Sequence, residues 1–117
     1  MNETLLNAVT HWKEANHVIM TTEADDEGVI ELRWLRTAGD WGYIDLFPEG
    51  PSIVIVQHGT FMNGDEREQR GINRFRVSEI EAHLTELKTM IDACQPARQW
   101  TYTPRVDIGS VASLKFR

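Results

Sequence analysis

Residues 29–57, VIELRWLRTAGDWGYIDLFPEGPSIVIVQ, decide the fold. Ile30, Leu32 and Trp34 alternate with Glu31 and Arg33, which is the period of a half-buried antiparallel strand. Ala38-Gly39-Asp40 then supplies a turn. From Trp41 to Phe47 the alternation resumes, with Ile44 and Leu46 on one face and Trp41, Tyr43 and Asp45 on the other. Pro48-Glu49-Gly50-Pro51 is a break. Ser52 to Gln57 follows, and its unbroken Ile53-Val54-Ile55-Val56 predicts a central strand covered on both faces. Strands linked by turns this short pair sequentially, which makes an antiparallel meander.

Working outward toward the N-terminus, His17 to Thr22 is rich in β-branched residues and predicts a further strand. Ala24-Asp25-Asp26-Glu27-Gly28 is the turn that joins it to the meander. Before it, Leu5, Val9 and Trp12 recur at helical spacing and predict a helix from about Glu3 to Ala15. Asn2 is its N-cap and Asn16 closes it. Toward the C-terminus the pattern lapses between His58 and Arg70, and the polar stretch Asn63 to Gly71 reads as the longest surface loop. Asn73 to Val77 alternates as a short edge strand. Ser78-Glu79-Ile80-Glu81 has the spacing of a capping box. Ile80, Leu84, Leu87, Ile91 and Cys94 then form one apolar stripe of a second helix, which Pro96 ends. Two strands, around Gln99–Thr103 and Val111–Phe116, close the chain. The expectation is a single α+β domain over residues 1–117, with a meander of about five to six strands and two helices on one face.

Composition bounds the function. The chain has 117 residues, enough for one domain with its own core. One cysteine, Cys94, forms no internal disulfide, and on an apolar helix stripe it has the setting of a small core residue. No signal-peptide pattern opens the sequence and no apolar run approaches membrane-spanning length, so the expected compartment is the cytoplasm and no membrane is engaged. Net charge is −6, and the first 60 residues hold three basic against ten acidic residues. An acidic first half argues against general nucleic-acid binding and permits attraction to a basic partner.

Catalytic and metal signatures are missing from the sequence. There is no HExxH, no glycine-rich phosphate motif and no GxSxG elbow, so no cofactor or metal is called for. The acids Glu23, Asp25, Asp26 and Glu27 fail the spacing of a calcium loop. Among the histidines, His11 and His83 sit off the helix stripes and His17 opens a strand. His58 follows a buried strand and opens the long loop, a position that suits an acid–base residue. Arg67, Arg70, Arg74 and Arg76 form a basic group that Asp65, Glu66 and Glu68 nearly cancel. The residues that group best are Asp25, Asp26, Glu27, Asp40, Trp41, Tyr43, Asp45 and Glu49, which the meander brings toward one edge or its turns. Aromatic anchors within a charged rim are what protein interfaces use.

The sequence therefore leans away from catalysis. The expected function is that of a small acidic binding protein, of inhibitor, immunity or chaperone type, engaging a basic protein through the meander. The alternative is a small enzyme or small-molecule-binding domain built on His58 and the 63–76 loop. A homodimer through terminal strands is compatible with either.

Overall fold

A computed structural model describes residues 2–23, 28–62 and 67–97. In order these form α1 (Glu3–Asn16), β1 (Ile19–Glu23), β2 (Val29–Leu35), β3 (Trp41–Glu49), β4 (Ile53–Phe61), β5 (Arg67–Arg76), a 3₁₀ turn (Val77–Glu79) and α2 (Ile80–Asp92). The five strands make one antiparallel sheet in the order β1-β2-β3-β4-β5. It is an α+β meander, as the alternation of residues 29–57 requires. The expected strands at 99–103 and 111–116 lie outside the described residues.

α1 begins where its cap predicts. The Asn2 side-chain oxygen accepts from the Leu5 amide at 2.9 Å, and its amide nitrogen donates to the Pro51 carbonyl at 3.0 Å. One residue thus caps the helix and ties it to the β3–β4 turn. At the other end His17 adopts a left-handed conformation (φ 56°) and closes the helix, rather than opening β1.

Core packing follows the alternation. Ile30, Leu32 and Trp34 of β2, Ile44 and Leu46 of β3, and Val54 and Val56 of β4 point to one face. Leu5, Val9 and Trp12 of α1 and Ile80, Leu84, Leu87 and Ile91 of α2 cover them. Each such side chain contributes about 1.5–3 kcal/mol when fully buried. Gly42 lies opposite Trp34, and a Cβ there would stand 2.5 Å from the indole, so the absent side chain is what lets Trp34 lie across the strand. Trp34 Nε1 donates to Asp92 Oδ1 at 2.7 Å, and Trp12 Nε1 to Thr85 Oγ1 at 3.0 Å, so both buried indoles are satisfied by α2.

Four local expectations are corrected. β4 and β5 run far into the supposed loop: they pair from Ile53↔Arg76 to Phe61↔Arg67, with residues 62–66 between them, of which 63–66 lie outside the described residues. The polar residues of β5 concealed it because an edge strand needs little apolar surface. The Ile53–Val56 run is unequally covered: Val54 and Val56 are buried on the helix side, while Ile53 and Ile55 are half-buried on the other face. Ser78 sits inside the 3₁₀ turn and caps nothing; α2 starts from Glu79 without a side-chain cap. Cys94 lies beyond the end of α2, half-buried, with its thiol donating to the Met90 carbonyl at 3.2 Å.

Candidate functional site

Strand register sorts the side chains of the other, helix-free face into rows. One row is Leu35–Trp41–Phe61–Arg67. Next comes Ile19–Arg33–Tyr43–Gly59–Gln69, then Thr21–Glu31–Asp45–Gln57–Ile72. No helix among the described residues covers this face. Ile19, Leu35 and Ile72 lie on it with 58%, 63% and 60% of their surface exposed. They are three of the four large apolar residues that stand out in this way among the described residues.

The centre of the face is an aromatic and arginine cluster. Trp41 and Phe61 stack with ring centroids 6.3 Å apart and planes 15° from parallel. Phe61 meets Tyr43 in a tilted contact at 6.1 Å. Arg33 and Arg67 lie over the Tyr43 ring at 5.4 and 4.9 Å, and both approach Phe61 as well. Asp45 holds the two guanidinium groups in place: Oδ1 accepts from Arg33 at 2.7 Å and Oδ2 from Arg67 at 3.2 Å. Arg33 also lies 3.8 Å from Glu31, so two guanidinium groups and two carboxylates balance over an aromatic floor. Burial raises the Tyr43 hydroxyl above its ordinary pKa of 10.0; Asp45 adds to the shift, while Arg67 and Arg33 oppose it.

The expected interface residues separate into groups. Trp41, Tyr43 and Asp45 come together in this cluster. Glu49 lies on the same face at the far end of β3, paired with Arg74 at 2.7 Å. Asp25, Asp26 and Glu27 lie outside the described residues. Asp40 is a correction: it is 0% exposed and belongs to the interior. Its Oδ2 accepts from Arg36 Nη1 at 2.8 Å and from the Ala97 amide at 2.6 Å. Arg36 in turn donates to the Cys94 carbonyl at 2.5 Å. The pair ties the β2–β3 turn to the chain leaving α2, which is a structural task. Gly39 enables that turn with φ 96°.

His58 is also withdrawn from solvent. It is 2% exposed on the helix side of β4, between Ile44 and Gly71 in the register. Its Nε2 donates to Asn73 Oδ1 at 2.7 Å, since an amide oxygen can only accept, and Nδ1 has no partner among the described residues. A Cβ at Gly71 would stand 2.9 Å from the ring. The ring is packed and hydrogen-bonded. Among the described residues no cluster of three or more His, Cys, Asp or Glu could hold a metal, and no helix is long and apolar enough to cross a membrane.

Sequence reasoning missed Arg33, Phe61 and Ile72 as site residues and named Arg67 only within a nearly neutral basic group. Arg33 was legible as the polar face of β2, but nothing local says that it lies beside Tyr43. Phe61 fell where the pattern lapses after His58, Arg67 in the stretch read as loop and Ile72 between that loop and the strand expected from Asn73, and only the β4–β5 register brings them into place. No protein-family model matches this chain, and comparisons with curated proteins and with solved structures likewise find no match.

Proposed function

We propose that this protein is a small non-catalytic binding protein of a reducing compartment, of inhibitor, immunity or chaperone type, and that the helix-free sheet face is its recognition surface. The observation that carries the reading is the exposure of Ile19, Leu35 and Ile72 around the Trp41–Phe61 stack on that one face. Aromatic and arginine side chains within a polar rim are the composition of protein-binding hot spots. The net charge of −6 favours a basic partner by steering its approach, a contribution to association rate more than to affinity. The acids of the face are held by arginines: Asp45 by Arg33 and Arg67, and Glu49 by Arg74. Steering therefore falls to the rest of the chain, including Asp25, Asp26 and Glu27, while contact falls to the aromatic face.

The test is affinity capture from native-host lysate at low salt, with stepwise salt elution. A stoichiometric basic protein is expected. A Leu35→Ser, Ile72→Ser double variant, which alters exposed side chains only, is expected to lose it. Reversing Asp25, Asp26 and Glu27 to lysine is expected to slow association and leave the dissociation rate nearly unchanged. Capture that survives the double variant would remove the sheet face from the account.

A further inference from the structure

We propose that the cleft between the first turn of α1 and the end of β5 binds the phosphoryl group of a small organic phosphate. It is open to solvent and has a volume of about 500 Å³. Its polar side is Arg76 with the hydroxyl residues Thr4, Ser52 and Ser78; its apolar wall is Pro51, Ile53 and Val77.

Arg76 is the observation that points to an anion. Six arginines lie among the described residues, and Arg33, Arg36, Arg67, Arg70 and Arg74 each hold a carboxylate. No carboxylate among the described residues pairs with Arg76. Among the six described arginines it is the exception. Its nearest candidate in the same row of the register is Glu49, and Arg74 already holds Glu49 at 2.7 Å. Glu3 and Glu79 adjoin the cleft in sequence but do not line it.

The hydroxyls narrow the ligand class. The side chains of Thr4, Ser52 and Ser78 have no hydrogen-bond partner among the described residues, so all three can donate. A guanidinium fork plus three neutral donors suits a tetrahedral oxyanion, with more acceptor sites than a carboxylate offers. Pro51, Ile53 and Val77 leave an apolar surface beside it for the body of the ligand. A free phosphate ion would use only the polar half. This cleft lies away from the Trp41–Phe61 cluster, so the proposal stands independently of the reading above.

Amide NMR of the full chain tests it, with phenyl phosphate as probe and inorganic phosphate, phenol and benzoate as its parts. Saturable shifts at Thr4, Ser52, Val77 and Ser78 are expected with phenyl phosphate, weaker shifts at the same amides with inorganic phosphate, and none with phenol. Arg76→Gln should weaken phenyl phosphate about tenfold or more, the cost of a charge-assisted contact. Arg76→Lys should recover part of that loss. Lys13→Gln, which removes the same charge at the far end of α1, should change affinity less than about twofold. Ser78→Ala is the second variant and should weaken binding with Arg76 intact. The proposal is overturned if these amides do not respond at millimolar phenyl phosphate, if Arg76→Gln binds as tightly as the natural chain, or if benzoate binds as well as phenyl phosphate.

Discussion

A carboxylate in a tight turn is ordinarily solvated, and Asp40 departs from that because Arg36, four residues earlier, closes onto it inside the molecule. Removing one member of such a pair leaves an uncompensated charge. Asp40→Ala is expected to cost about 3–5 kcal/mol in urea denaturation, with the Ala97 amide losing its acceptor as well. A loss below about 1 kcal/mol would show that the pair is solvated. The spacing Arg36 to Asp40 was visible in the sequence; its burial was not, because that depends on Cys94 and Ala97 arriving from the far end of α2. His11 makes the opposite kind of contact, on the surface. Its Nδ1 lies 2.9 Å from Glu81, and that hydrogen bond, with the charge of Glu81 behind it, raises the His11 pKa above 6.5. A raised folded-state value means stability fully present below about 6.5 and lost as pH rises through the raised value. Histidine NMR titration should find His11 above its ordinary value, and Glu81→Gln should return it there. An unchanged titration in that variant would remove the contact.

At the scale of elements, the two helices contrast in how they start. Asn2 caps α1 through the Leu5 amide, whereas the serine of the apparent capping box, Ser78, accepts no such bond. Asn2→Ala should therefore destabilise by about 1 kcal/mol, and Ser78→Ala by less than about 0.5 kcal/mol. Equal losses in thermal denaturation would contradict this. The motif failed at Ser78 because β5 runs directly into a 3₁₀ turn, which shifts the start of α2 to Ile80. The β4–β5 hairpin was illegible for a related reason. Residues 67–76 are mostly charged or polar and lie at the edge of the described sheet, so burial alternation has little to write on. β2 and β3 sit in the middle of the sheet, and their alternation could be read directly.

On the scale of the whole molecule, the sheet has one face under two helices and one face that no helix among the described residues covers. The covered face was legible from period alone, since Ile30, Leu32, Trp34, Ile44 and Leu46 all follow it. Half of the helix-free site was legible too: Trp41, Tyr43 and Asp45 share a parity. Its other half comes from cross-strand partners, which no local pattern encodes. The charge of the chain misled in detail, because acids counted as surface were either internal, like Asp40, or held by arginines, like Asp45. The central claim is that the helix-free face makes the contact. Methyl-labelled NMR of the full chain with its captured partner measures this directly. Shifts and line broadening should be confined to Ile19, Leu35, Ile55 and Ile72, with Leu84 and Ile91 in the core and Met90 on α2 unmoved. Perturbation centred on Met90 and the outer surface of α2, with Leu35 and Ile72 unchanged, would contradict the account.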